Sequence, residues 1–204
     1  MLTFSGKELL AIAKTTASED RFNLAHIQIT PNEIVTTNGH YLTVISGLDG
    51  FDVEAPSYVL ASRLLDLRAT DTCFITPTGI QAVSKRGNET MIAYTNDVFE
   101  YPDIDQVVPA LPTDEDSGAA FAGFGIDVLG GYFSVVKAFG VNAVKFNSPK
   151  DKLCPSVVQA KREPSGDEQL VNIYGVIMPL RLDCDYPDYR ETLNLRVRKK
   201  RSAA

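Results

Sequence analysis

Cysteine, histidine and long apolar runs are what this chain has least of. Its 204 residues hold three cysteines, Cys73, Cys154 and Cys184, odd in number, far apart and without histidines at ligand spacing. That pattern argues against both a disulfide framework and a zinc site, and the thiols are expected to be reduced. Histidine is limited to His26 and His40, and no G-x-S-x-G, P-loop, dinucleotide fingerprint or H-E-x-x-H pattern occurs. A lone histidine beside a glycine turn, as His40 is, is more often structural than a general base. The expectation is a protein that is not an enzyme, with no catalytic residue, no cofactor and no metal. No run approaches the roughly 18 apolar residues that a membrane span needs. Lys7, Glu8, Lys14, Glu19 and Asp20 stand where a signal peptide would carry its apolar core. A soluble, cytoplasmic protein is expected.

What is present is ordinary globular material. With 44% hydrophobic and 23% charged residues, the chain can bury a core as one or two domains. The net charge of -6 disfavours a protein that simply coats nucleic acid, but it leaves room for a local basic face on an acidic body.

Apolar periodicity divides the chain into short elements. Gly6 to Ala17 reads as a helix, with Leu9, Leu10, Ile12 and Ala13 forming the stripe, Ser5 as N-cap, and Lys7 and Lys14 sharing another face. Strand-like runs follow at Leu24 to Thr30, Glu33 to Thr37, Tyr41 to Ser46 and Phe51 to Ala55, punctuated by Pro31-Asn32, Asn38-Gly39 and Gly47. A second helix is predicted from Val59 to Arg68, with Leu60, Leu64, Leu65 and Leu67 toward the core and Arg63 and Arg68 toward solvent. Strands Thr72 to Thr76, Ile80 to Lys85 and Thr90 to Thr95 come next. The polar, proline-bearing stretch Ala110 to Gly118 marks a domain boundary, giving units 1–112 and 113–204. Beyond it, Ile126 to Phe139 reads as a buried helix that Gly130-Gly131 weakens by about 1 kcal/mol per glycine. Strands are predicted near Ala143 to Asn147, Ser156 to Lys161 and Leu170 to Leu182, and Arg196 to Arg201 forms a basic end. A short internal echo, Glu100-Tyr101-Pro102-Asp103-Ile104 against Asp185-Tyr186-Pro187-Asp188-Tyr189, fits two units.

Three segments carry a family resemblance. Thr37-Asn38-Gly39-His40-Tyr41-Leu42 is similar to a T-D-G-[HY]-R-L turn, Phe99 to Pro109 to an E-F-P-D-x-x-x-V-L-P segment, and Gly175 to Leu182 to a V-V-M-P-M-R-L ending. In that order they resemble the bacterial DNA polymerase III beta subunit, the DNA sliding clamp. Residues 1–112 resemble the family's middle domain and 119–182 the later half of its third, in a shortened, two-unit form such as a phage-type member, with an extension, Asp183 to Ala204. Tyr41 stands where the family usually has arginine. The resemblance implies an α+β DNA-clamp fold, with antiparallel sheets, helices on one face and two clamp-like units.

The resemblance also implies the sites. The family's turn and ending line an apolar groove for short hydrophobic peptides, and the matching positions are Leu24, Thr37, Gly39, His40, Tyr41, Leu42, Pro109, Val176, Ile177, Met178, Pro179, Leu180, Arg181 and Leu182. Such a lining gains about 25 cal/mol per Å² of apolar area covered, and methionine adapts to varied ligands. A plain buried strand, Val171 to Leu182, is the competing reading of the last seven. Helices line the hole of the family's ring, which makes Lys7, Lys14, Arg63, Arg68 and Lys137 the DNA-facing candidates, against the common case of a merely solvated face. The implied function is a DNA replication processivity factor that encircles duplex DNA without sequence preference. It would tether a DNA polymerase or other clamp-motif protein in a bacterial or phage-infected cell, with a clamp loader as a further partner. Three copies would supply six units, so a homo-oligomer, a trimer first, is expected. The alternative is a clamp-derived adaptor or decoy that binds clamp-motif peptides without encircling DNA. Within the extension, Thr192-Leu193-Asn194-Leu195 loosely resembles a clamp-binding peptide, whereas Leu193, Leu195 and Val197 alternate as a strand would, the favoured reading.

Overall fold

A computed structural model describes residues 3–18, 23–47, 51, 53–95, 101–107, 124–147, 154–164 and 170–179. The chain opens with strand β1 (Thr3–Ser5), which runs straight into helix α1 (Gly6–Ala13). Ser5 is the N-cap: its hydroxyl accepts from the Glu8 amide at 3.3 Å, and the Glu8 carboxylate accepts in return from the Ser5 amide at 2.7 Å. This reciprocal capping box satisfies amides that the first turn would otherwise leave bare. Strands β2 (His26–Ile29), β3 (Ile34–Thr37) and β4 (Tyr41–Ser46) follow as a meander. Phe51 and residues 53–55, where a further strand is predicted, form none, although Phe51 and Val53 are buried.

The helix predicted from Val59 to Arg68 is corrected by the structure. Residues 57–60 form strand β5 (Ser57–Leu60), paired with β2 through Ile27–Val59 and Gln28–Tyr58, and only the 3-10 turn Ala61–Leu64 is helical. Val59 is β-branched, and Leu60, at the N-cap, offers no side-chain hydrogen bond, so the demand for a sheet partner outweighs a leucine stripe. Leu64 is buried and Leu65 exposed. The segment closes with Asp71, whose carboxylate accepts from the Arg68 amide at 2.8 Å and whose carbonyl accepts from the Gly6 amide at 2.8 Å. Gly6 is required there, since a Cβ would run into the Arg68 carbonyl.

Strands β6 (Thr72–Thr76), β7 (Gly79–Val83) and β8 (Glu89–Ala93) form the next meander. A four-residue helix, α2 (Ile104–Val107), precedes α3 (Ile126–Ala138), which leads into β9 (Lys145–Asn147), β10 (Ser156–Arg162) and β11 (Val171–Ile177). Both sheets are antiparallel, with orders β1-β6-β7-β8 and β5-β2-β3-β4-β11-β10-β9. The first two runs, β1-α1-β2-β3-β4 and β5-turn-β6-β7-β8, exchange leading strands. β1 pairs with the meander of the second run and β5 with that of the first. A third run, α3-β9-β10-β11, joins through β11 on β4.

One main core spans all three runs, from Phe4, Leu9 and Ile12 through Ile27, Ile45, Leu64, Ile75 and Ile80 to Tyr132, Phe139, Val158 and Ile173. The stretch assigned as a domain boundary, 110–118, lies outside the described residues. Helix α3 is not buried all round: Tyr132, Val135, Val136 and Phe139 face inward, while Ile126 is 86% exposed. Its anchor is Tyr132. The hydroxyl sits 3.1 Å from both the Val158 and Ile173 carbonyls, and the ring lies on Gly175, where a Cβ would collide with it. Arg162 adds a second tie, pairing with Glu8 at 3.3 Å and lying over the Phe139 ring at 5.8 Å.

These contacts set two stability expectations. Gly175→Ala should cost about 1 to 3 kcal/mol by overpacking against Tyr132. Tyr132→Phe should cost about 1 to 2 kcal/mol by deleting a buried hydrogen bond. Urea unfolding monitored by circular dichroism measures both.

Candidate peptide groove and basic face

The β3–β4 hairpin is built by its own side chains. Thr37 Oγ1 donates to the Tyr41 carbonyl at 2.8 Å and accepts from the Gly39 amide at 3.2 Å. Asn38 Oδ1 accepts from the amides of His40 at 3.0 Å and Tyr41 at 3.1 Å. Such Asx- and Thr-type turns replace backbone partners with side-chain oxygens, and Gly39, at φ +86°, supplies the left-handed step. The turn is then tied to the end of β11, because the Met178 amide donates to the His40 carbonyl at 3.1 Å.

Strand pairing completes the site. In the β4–β11 register Leu42 stands opposite Val176 and Tyr41 opposite Ile177. Alternation sends Leu42, Val44, Val35 and Val176 to one face, where they form a small apolar cluster with Tyr101, Ile104 and Tyr174. Tyr41, Ile45 and Ile177 go to the main core on the other face. Over the small cluster lies a cavity of about 340 Å³ lined by Leu24, Thr37, Gly39, Tyr41, Leu42, Val176 and Met178, together with Tyr101, Pro102, Ile104 and Val107.

Seven of the sequence-predicted groove residues therefore meet in one cavity. His40 is exposed at the turn, Pro179 follows Met178, and neither lines the cavity; Ile177 is fully buried in the core. Pro109, Leu180, Arg181 and Leu182 lie outside the described residues. The missed wall is the segment 101–107. The segment resembling E-F-P-D contains it, but its place over Val35 and Leu42 follows only from the fold. Tyr101 holds this wall: its hydroxyl lies 3.3 Å from the His26 carbonyl and 3.4 Å from that of Val35, and its ring packs against Tyr58 at 5.8 Å between centroids.

Tyr41 joins the groove to the core. It occupies the position where the resembled turn has arginine, and its ring lies against Gly131 of α3, where a Cβ would collide with the hydroxyl. A Cβ at Gly130 would meet open space. Gly131 is thus a packing requirement that helix propensity alone reads as a flaw.

The basic candidates fall on adjoining elements. Lys7 stands on α1 and Lys14 at its C-cap, Lys137 on α3, Arg63 on the 3-10 turn and Arg68 just after it, all exposed. α1 packs against both α3 and the turn. Arg63 and Arg68 share a polar cleft of about 300 Å³ with Asp66 and Asp71, so carboxylates offset part of their charge. The basic end, Arg196, Arg198, Lys199, Lys200 and Arg201, lies outside the described residues. Among the described residues no group of three His, Cys, Asp or Glu side chains can hold a metal ion, and no helix is long and apolar enough to cross a membrane.

Burial pushes the Tyr41 and Tyr94 phenols up to about 12 and raises those of Tyr101 and Tyr132 as well. Unfolded phenols ionise near about 10, so the folded state holds protons that the unfolded state releases. The stabilising contribution is complete below about pH 10 and is lost as pH climbs through about 12. Urea midpoints should fall as pH rises from about 10 to about 12, and less steeply in Tyr41→Phe.

No protein-family model and no curated protein matches the chain. Solved structures do match. Against the C. crescentus beta sliding clamp the TM-score is 0.55 at 14% identity, covering 89% of this chain and 65% of that one. The values are 0.54 and 9% for DNA polymerase III subunit beta from Borrelia burgdorferi, with 89% and 64% covered. For the H. pylori beta clamp in complex with diflunisal they are 0.53 and 12%, with 88% and 64% covered. The chain therefore spans just under two thirds of these solved chains, and at such identities the likeness is one of fold. The protein has the α+β sliding-clamp fold of the bacterial DNA polymerase III beta subunits.

Proposed function

We propose that this protein is a DNA sliding clamp, a processivity factor without a reaction of its own, which tethers a DNA polymerase or another clamp-motif protein to duplex DNA. The observation that carries the reading is the apolar cavity at the junction of the 37–42 turn and the end of β11, on a clamp fold. A concave, nearly all-apolar lining suits a short hydrophobic peptide. Met178 is 46% exposed at its rim, free to fold over a ligand. Leu180, Arg181 and Leu182 extend the proposed lining.

Holding DNA without reading it requires cations near phosphates and few base contacts. Lys7, Lys14 and Lys137, with Arg63 and Arg68, supply the cations on this reading, on the side formed by α1, the 3-10 turn and α3. A ring then needs several copies, and three chains of two clamp-like units each, a homotrimer, is the first choice, with a clamp loader as an accessory.

A second reading, a clamp-derived adaptor or decoy that binds clamp-motif peptides without encircling DNA, has one observation in its favour. The third run has no complementary run among the described residues, so each chain brings one exchanged pair of runs and an unmatched third. Light scattering separates the two: a trimer supports the ring, and a stable monomer that binds peptide supports the adaptor.

Two further outcomes are expected. Met178→Ala should weaken a hydrophobic clamp-motif peptide by about 1 to 3 kcal/mol in calorimetry while leaving the urea midpoint unchanged, because the side chain stands outside the core; equal affinity would remove the groove. Charge reversal at Lys7, Lys14, Arg63 and Arg68 should reduce retention on circular duplex at low salt, with no base-sequence preference in the parent protein. Retention that ignores all four changes would count against the ring.

A further inference from the structure

The exchange of leading strands leaves one receiving edge open. In the first two runs the strand directly before the helix or turn pairs antiparallel with the first meander strand of the other run, as in Phe4–Cys73 and Ile27–Val59. β9 is the first meander strand of the third run. It pairs with β10 on one side through Phe146–Val158, and among the described residues its outer side has no strand partner. An apolar patch lies next to that edge. Phe146, 44% exposed, packs against Phe124 at 6.4 Å and Phe133 at 6.3 Å, and the exposed Ile126 begins the same helix. An open edge beside an apolar surface is a template for one more strand.

We propose that residues 192–197 of this same chain add to β9 as an antiparallel edge strand and close the third run in cis. Direction is the first argument. β11 ends at Ile177, opposite Ser156, and the neighbouring Val157 stands opposite Asn147. The chain thus leaves the sheet at the Asn147 end of β9, where a strand antiparallel to β9 must enter. Reach is the second. The new position is three strand spacings from β11, about 14 Å, and residues 178–191 can span up to about 45 Å. Pattern is the third. Leu193, Leu195 and Val197 alternate with Asn194 and Arg196, so one face can cover Phe146 and Ile126 while the other stays in water.

A second copy is the weaker occupant. Three residues of edge are a small basis for a stable intermolecular interface, whereas a tethered strand acts at a millimolar-scale effective concentration. The same assignment takes 192–197 away from the peptide groove. It stands on strand pairing alone and is independent of the proposed function.

Hydrogen–deuterium exchange on the full chain and on a chain truncated after Leu182 tests this. Slow exchange at both 145–147 and 192–197 in the full chain is expected, with exchange at 145–147 rising at least about tenfold on truncation. Leu195→Asp in the full chain, which puts a charge on the face that covers Phe146 and Ile126, should reproduce that rise and serves if the truncated chain does not fold. Clamp-motif peptide affinity should not change on truncation. Fast exchange at 192–197 overturns the proposal. So does protection that appears only as light scattering reports a doubled mass, which would assign the edge to a second copy. A rise in peptide affinity on truncation overturns it too, by placing the tail in the groove.

Discussion

The antiparallel pairing of β4 with β11 is the contact on which the rest of this molecule depends. It runs from Ser46–Asn172 to Tyr41–Ile177, and it merges a meander from the start of the sequence with one from its later part into a single seven-stranded sheet. Such a long-range pairing incurs a large loop-closure entropy before any contact forms. Burial on both faces offsets it. Ile45 and Ile173 are closed off by the helices on one face, while Leu42 and Val176 are covered from the other by Tyr101 and Ile104. A register slip of one residue would turn both sets inside out, so this sheet has one stable alignment.

That alignment fixes where α3 can lie. Gly175 leaves room for the Tyr132 ring, Gly131 leaves room for the Tyr41 ring, and the two close approaches hold the helix to β11 and β4 at once. Arg162, bonded to Glu8 and stacked on Phe139, draws α1 into the same arrangement. The carboxylate that anchors Arg162 also caps α1 through Ser5. One side chain thus serves the start of a helix and the junction of two runs, and the basic residues on α1 and α3 take their relative positions from it.

How much of this could be read in the sequence depended on how local its cause was. Tyr41–Ser46 and Thr72–Thr76 emerged with the bounds expected for them, because strand period and turn residues act within a few positions. The Ser5 cap was legible for the same reason. Residues 59–68 were misread because leucines at three-to-four spacing describe a helix or a short turn equally well, and the deciding factor was β2, about thirty residues earlier in the sequence. Gly131 looked like a flaw in a helix until Tyr41 was seen against it. The groove was half legible. Its floor came from motifs, while its wall at Tyr101 and Ile104 needed the fold to bring it over Val35 and Leu42.

The position of the cavity has a thermodynamic consequence. Its lining comes from the first meander, through Thr37, Tyr41 and Leu42, from the third, through Val176 and Met178, and from the segment between them, through Tyr101 and Ile104. No one of these segments makes the concave surface alone. A ligand that covers it binds only the state in which β4 and β11 are paired, and so stabilises that pairing by mass action, as the logarithm of its free concentration over its Kd. The reverse holds through populations: a change that breaks the Met178–His40 hydrogen bond or the Tyr41–Gly131 contact weakens the ligand by the factor by which it depopulates the paired state. In this fold, occupancy of the groove and integrity of the sheet junction are one linked equilibrium.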